Sequence, residues 1–387
     1  MVQERITRRW IRVLSIFLLF ILTASVRAFS LSPLYSKRVD NTMLHANSSG
    51  KCLDGCVCVV TGASRGIGKG IATALAKESA TIYVTGTSSS CGSPPRGSRY
   101  ATDSQVGGPG TVEETASLIN KLGGKGIAVV CNHANDDEVK AVFLQVEKEQ
   151  GRLDILVNNV FRIPPGGLEK LMGKFWEQDV EAWDALHTVG LRSHFVASSF
   201  AVPLMLKSSR DSTIKRPFIA MISSFGGLSY TFSVPYGVGK AGVDRLAKDM
   251  AVELQSEDVC VVSFYPGLVQ TERTNLAVAN GDWDKYVGIP LDKSETPEFS
   301  GRAVLAVATD PDNMKKSGTV QVVAELAEEY GFTDVSGKRP PSIRSFKFLI
   351  PTYGMDEEQR KKVPDWLIPN WKLPFWVMAG GRPPDQN

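Results

Sequence analysis

The most constraining stretch of this chain is a glycine-rich turn, Thr61-Gly62-Ala63-Ser64-Arg65-Gly66-Ile67-Gly68. It sits between a β-branched run at 57–61 and apolar residues at helical spacing, Ile71, Ala72, Leu75 and Ala76. Strand, glycine turn and helix in that order make the phosphate-binding unit of a dinucleotide fold. Gly62 allows the tight turn, Gly66 lets the backbone approach a pyrophosphate, and Gly68 lets the helix pack closely on the strand. The helix then offers unpaired N–H groups and the positive end of its dipole to an anion. The spacing is G-x-x-x-G-x-G rather than G-x-G-x-x-G, which narrows the choice of family.

The rest of the chain alternates in the same sense. Strands are expected at 81–85, 126–131, 153–158, 218–223 and 259–265, with helical patterns at 112–122, 136–150, 183–206 and 239–255. This order predicts an α/β fold, a doubly wound, mostly parallel sheet with helices on both faces, in a single domain over 52–340. Ligands of such sheets bind at the carboxyl ends of the strands. The glycine turn, Asn158-Asn159, Ser223-Ser224 and Tyr265-Pro266-Gly267 all fall at such ends. Residues 87–111 are rich in Ser, Gly and Pro, far longer than the usual connection of about 2–6 residues. They read as a disordered insertion over the adenosine end of the ligand, with a lid or partner surface as the alternative. There is no internal repeat.

Composition sets outer limits. With 43% hydrophobic and 22% charged residues in 387, the chain is neither disordered, collagen-like nor a polytopic membrane protein. A net charge of +3 gives no reason to expect a nucleic-acid partner. Six Cys at this length exclude a disulfide scaffold. Cys52, Cys56 and Cys58 run into an apolar stretch with no spaced Cys or His pair behind them, so Cys58 is expected inside a strand and no metal site is expected.

Residues 1–51 read as a targeting segment. Arg5, Arg8, Arg9 and Arg12 precede an apolar run at 13–24, shorter than a membrane span of roughly 20 residues, and small residues end at Ala28. No acidic residue lies between Glu4 and Asp40, which suits a transit peptide. The segment Ala24-Ser25-Val26-Arg27-Ala28-Phe29 resembles the signal/transit junction of algae with secondary plastids; a plain secretory signal or signal anchor fits as well. Both predict entry into the endoplasmic reticulum, with that compartment or a plastid as the final site.

The chemistry concentrates in Tyr236-Gly237-Val238-Gly239-Lys240. At i and i+4 a phenol and an ammonium share one helix face, and Pro235 suits the first turn of that helix. A free phenol titrates near about 10. The neighbouring ammonium is expected to lower that value and make Tyr236 an acid/base near neutral pH. Ser224, at the end of the fifth strand, would place a hydroxyl to hold a carbonyl or alkoxide oxygen.

In this order the T-G-x-x-x-G-I-G turn, Asn158-Asn159, Ile222-Ser223-Ser224, the Tyr236/Lys240 pair and Tyr265-Pro266-Gly267 resemble the short-chain dehydrogenase/reductase (SDR) family of the Y-x-x-x-K type, over about 53–267. Val189-Gly190-Leu191-Arg192, the segment 235–240 and the segment 327–335 are similar to the member-1 branch of that family and its microbial relatives, as far as about Pro340. The resemblance implies a Rossmann-like catalytic domain. It implies Tyr236 as proton donor, Ser224 as carbonyl anchor, and Lys240 as partner of both Tyr236 and the nicotinamide ribose. It places Gly62, Ser64, Arg65, Gly66, Ile67 and Gly68 around the cofactor phosphates and Asn158 by the adenosine ribose. Pro266, Gly267, Val269 and Thr271 would run along the nicotinamide. Two positions depart. Asn132 stands where the family usually has an Asp reading the adenine amino group, although an amide oxygen also accepts that bond. Gly190 stands where many members carry the Asn of a water-mediated proton relay to the Lys.

The second strand ends Thr85-Gly86-Thr87-Ser88, without the carboxylate that NAD-selective folds place there. Arg65 offers a positive charge to a 2′-phosphate. NADP(H) is therefore expected ahead of NAD(H). The reading is an NADP-dependent oxidoreductase passing a hydride between nicotinamide and a small carbonyl or alcohol compound. The alternative is an idle dinucleotide-binding protein with a sensing or assembly role. Residues 268–294, which should close over the substrate, carry no chemical signature. In the extension 341–387, Trp366, Leu367, Ile368, Trp371, Leu373, Phe375, Trp376 and Val377 crowd together. Packing on the main domain and contact with a membrane surface both stay open there, as does homo-oligomer formation.

Overall fold

The computed structural model describes residues 51–90, 109–164, 167–208 and 214–380. The expected targeting segment, save Lys51, and most of the 87–111 insertion lie outside the described residues. Strands β1 (Val57–Val60), β2 (Thr81–Gly86), β3 (Lys125–Val130), β4 (Ile155–Asn158), β5 (Phe218–Ile222), β6 (Cys260–Tyr265) and β7 (Val320–Val322) form one sheet in the order β3-β2-β1-β4-β5-β6-β7. Every neighbouring pair is parallel. Parallel pairing needs crossover connections, and helices supply them: α1 (Gly66–Ala76), α2 (Val112–Lys121), α3 (Asp136–Gln150), α4 (Gly167–Leu171), α5 (Val180–His187), α6 (Ser193–Met205), α7 (Val234–Glu253), α8 (Glu272–Ala279), α9 (Asp282–Tyr286) and α10 (Pro297–Thr309), while α11 (Val323–Tyr330) follows the last strand.

The central strands are continuous hydrophobic runs because both of their faces are covered. Cys58 and Val60 of β1 join Ile71, Leu75, Phe299 and Val304 on the face of α1 and α10. Val57 and Val59, pointing the other way, join Val139, Val142, Val196 and Val243 on the face of α3, α6 and α7. Successive residues of one strand thus build two separate cores. Cys58 is buried in β1, and Cys52, Cys56, Cys131 and Cys260 are likewise buried.

Three features differ from expectation. The helix expected at 183–206 starts earlier, at Val180, and is interrupted by a π-turn over Thr188–Arg192 that holds Gly190. Such wide turns concentrate at functional sites. Helix α7 begins at Val234 rather than 239, since Pro235 fits its first turn. Strand β7 was not legible: three residues are too few to show a period. Among the described residues no helix is long and apolar enough to cross a membrane, and no cluster of His, Cys, Asp or Glu could hold a metal ion.

The crowded extension divides into inward and outward side chains. Ile343, Phe346, Phe348, Leu349, Ile368, Leu373 and Met378 enter the core shared with α1 and α10. Arg344 holds Glu325 of α11 through two hydrogen bonds of 2.6 Å. Trp366, Leu367, Trp371 and Trp376 remain exposed.

Candidate active site

At the β1–α1 turn Gly62 and Gly66 adopt positive φ, +66° and +59°. A side chain at Gly68 would stand 2.4 Å from Asn159 Nδ2 and 2.5 Å from the Gly62 carbonyl oxygen, so only glycine fits. Asn159 ties β4 to this turn: its Nδ2 donates to the carbonyls of Thr61 (2.8 Å) and Gly62 (3.0 Å). Asn158 does something else. It is fully buried, and its Nδ2 donates to Ser198 Oγ of α6 at 3.0 Å. The Gly66 amide, first in α1, donates to Glu272 Oε2 at 2.7 Å. A carboxylate oxygen already sits on this amide as an anion would, so the residues present fit a dinucleotide pyrophosphate.

Arg65 Nη2 donates to Ser88 Oγ (2.8 Å) and to the Gly110 carbonyl (2.7 Å), which fixes the guanidinium at the end of β2. Ser64 is buried with its carbonyl accepting from Thr115 Oγ1, and Ile67 packs on the core. The strand end has no carboxylate in sequence, but space brings one: Glu113 of α2 accepts from Ser89 Oγ (2.5 Å) and the Ser90 amide (3.0 Å). Asn132 uses its Oδ1 locally, accepting from the Ala134 amide at 3.1 Å.

Tyr236, Lys240 and Asp244 stack at i, i+4 and i+8 on α7. The Tyr236 hydroxyl donates to Ser224 Oγ at 2.8 Å, and the Gly226 amide donates to the same oxygen at 2.9 Å. Ser224 therefore accepts twice and keeps its own proton for a third group. Lys240 Nζ donates to the Ile222 carbonyl at 3.1 Å and lies 4.9 Å over the Phe161 ring. Asp244, beneath it, accepts from Ser263 Oγ (2.6 Å) and Tyr265 OH (2.5 Å).

Burial dominates the titration of this stack. It pushes the Tyr236 phenol up to about 12, the Ser224 hydrogen bond opposing, and holds Lys240 down at about 8, Asp244 opposing. Burial thus raises the phenol, where a lowering by the ammonium is expected from the sequence. The ammonium is turned to a backbone carbonyl, and taking a phenolate out of water outweighs it.

Phe161 carries no motif, yet it decides this corner. Its ring meets Tyr236 edge-on at 5.8 Å and lies over Gly190, where a Cβ would come within 3.0 Å of it. The ring fills the space between Gly190, Tyr236 and Lys240.

The pattern of the short chain dehydrogenase family matches residues 107–280. Dehydrogenase/reductase SDR family member 1 of Mus musculus is 41% identical over 292 residues, 74% of this chain and 85% of that protein. The chain belongs to the short-chain dehydrogenase/reductase family. A 3-oxoacyl-[acyl-carrier-protein] reductase of Thermotoga maritima is 28% identical over 67% of this SDR and 92% of its own length. A solved short chain dehydrogenase from Mycobacterium thermoresistibile shares the fold, with a TM-score of 0.58 at 22% identity over 75% of this chain and 93% of that one. The SDR family is one of oxidoreductases that bind nicotinamide dinucleotides.

In this SDR the remaining expected residues follow β6. Pro266 and Val269 are buried, and Thr271 Oγ1 caps α8 by accepting from the Thr274 amide at 3.2 Å. Gly267 rests on Glu295, whose Oε1 would stand 2.6 Å from a Cβ there. The Glu295 carboxyl is buried with neither oxygen in a well-formed hydrogen bond. Burial raises it to about 8, the Gly267 amide only partly opposing. Neither Glu295 nor Asp244 stood out in sequence, though Asp244 continues the i+4 series of Tyr236 and Lys240.

Proposed function

We propose that this SDR uses NADP(H) to interconvert a small carbonyl compound and its alcohol, with Tyr236 as acid/base. The observation that carries the reading is the Tyr236 hydroxyl on Ser224 Oγ at 2.8 Å, with Lys240 one turn along the same helix. A bound nicotinamide supplies or accepts the hydride. Ser224, already accepting from Tyr236 and Gly226, points its own proton at the substrate oxygen and polarises it. Tyr236, neutral at pH 7 with its phenol near 12, gives its proton to that oxygen in reduction. Lys240 is charged below about 8 and stabilises the phenolate left behind. Arg65, fixed at the end of β2, would meet a 2′-phosphate in a charge-assisted hydrogen bond. The exposed Trp366, Leu367, Trp371 and Trp376 support a second contact, with a membrane surface. Delivery through the endoplasmic reticulum and assembly into a homo-oligomer belong to the same proposal.

The test is steady-state kinetics on a carbonyl panel with NADPH and NADH. Tyr236→Phe should lower kcat by about 10²–10⁴-fold with cofactor affinity unchanged. Arg65→Ala should shrink the NADPH preference about tenfold. Tight NADPH binding with no consumption on any carbonyl would favour the idle, sensing alternative.

A further inference from the structure

Residues 268–294 look chemically silent in sequence, but the fold makes them deliver a cation to a cavity. Helices α8 and α9, both from this region, enclose with α4 a cavity of about 190 Å³. Ile163, Leu168 and Leu276 give it apolar walls. Ile163 and Leu168 also pack in the apolar cluster that holds the Tyr236 ring, so the cavity and the proposed acid/base share a wall. Arg273 lines this cavity. Its Nε is enclosed and has no hydrogen-bond partner. Its neighbour Glu272 turns to the Gly66 amide, and consecutive helical residues point roughly 100° apart, so the one faces the glycine turn and the other the cavity. Burial, and next the nearby Arg65, work against the charge of Arg273 and hold it at about 10, still protonated at neutral pH. An enclosed guanidinium nitrogen without a partner is costly. An anion in the cavity would supply that partner. Glu169 and Asp282 also line the cavity, and the nearby Lys285 offsets part of their charge.

We propose that Arg273 anchors a carboxylate on the substrate, so that this SDR prefers short-chain oxo acids and the matching hydroxy acids, their apolar part lying along Ile163, Leu168 and Leu276. The inference rests on the oxidoreductase reading for its chemistry, but binding tests it without turnover. Calorimetric titration of the NADP⁺-loaded chain compares hexanoate with hexanamide, and kinetics with NADPH compares methyl-ketone oxo acids of increasing length with their methyl esters. Hexanoate should bind about ten- to hundredfold more tightly than the amide. The preference should vanish in Arg273→Met and partly return in Arg273→Lys, with the KM for NADPH the same in all three. Equal binding of acid and amide by the wild type overturns the proposal. So does Arg273→Met raising the KM for NADPH while the acid/amide ratio holds, since the guanidinium then serves the cofactor phosphates. Should Arg273→Met not fold, the wild-type ratio and the Arg273→Lys arm decide. Acid-selective binding with no turnover of any oxo acid keeps the anion site and sinks the oxidoreductase reading instead.

Discussion

The glycine turn and the Tyr236 helix stand on one edge of the sheet and are built in opposite ways. At the turn the backbone carries the polar groups: the Gly66 amide holds a carboxylate, and side chains are excluded because Gly62, Gly66 and Gly68 leave no room or demand positive φ. At the helix the side chains are the reagents, and they are held where water is scarce, so Tyr236 and Lys240 both resist being charged. The turn should tolerate changes of charge nearby but not added atoms. The helix should lose activity, but not stability, when its charge is lost.

The sharpest test of that contrast is Lys240→Met. Activity should fall by about 10²-fold or more, while thermal stability at pH 7 rises. The sign follows from linkage: Lys240 titrates at about 8 in the fold against 10.5 ordinarily, so between these values the unfolded chain binds more protons and wild-type stability climbs with pH. Below 8 the folded chain carries the full burden of a buried ammonium. The gain from methionine should therefore be largest at pH 7 and shrink towards pH 10, read as melting temperatures of both proteins. A lower melting temperature for the variant at pH 7 would contradict the account.

Next in size is Gly68→Ala, which adds one carbon against Asn159 and the Gly62 carbonyl. It should destabilise the chain by about 1–3 kcal/mol in urea unfolding and weaken NADPH binding more than tenfold. An alanine variant of native stability and affinity would show that the cradle yields. Gly190→Asn tests the helix side. Its Cβ must push Phe161, which lies against Tyr236 and Lys240, so kcat should drop about tenfold. Adding Phe161→Leu should restore part of the loss; no coupling in the double-mutant cycle would mean that the ring gives way freely.

The smallest effect on activity is expected at Glu295, a buried carboxyl beneath Gly267 of the Tyr265-Pro266-Gly267 segment. Its folded value, raised to about 8 from 4.5, means that the fold retains a proton that the unfolded chain releases between these limits. Its contribution is complete below pH 4.5 and is lost as pH rises to about 8. Glu295→Gln should flatten the stability profile over that window, with the two proteins diverging most near pH 8.5 in denaturant titrations. Parallel profiles would place the proton elsewhere.

Much of this fold was legible because its signals are local. Six strands and the helix at 136–150 announce themselves by period, and the glycine turn, Ser224, Tyr236 and Lys240 by spacing. What escaped is what only packing creates. Phe161 and Gly190 lie on different elements and carry no shared pattern. Glu113 reaches the end of β2 from α2, supplying a carboxylate that the strand itself lacks. Arg273 matters through the cavity around it, and a linear reading has no means to see an enclosed volume. Asn158 and Asn159 are adjacent and chemically identical, and strand alternation alone turns one into the core and the other to the turn.

The ring of Phe161 over Gly190 also sets an order on the substitutions open to this lineage. A side chain at 190 meets an occupied space, whereas a smaller residue at 161 merely vacates it. A descendant could acquire a relay residue at 190 by shrinking 161 first, and the reverse order passes through a crowded, impaired intermediate. Libraries that vary one position at a time would score asparagine at 190 as harmful and miss the route, while paired libraries would find it.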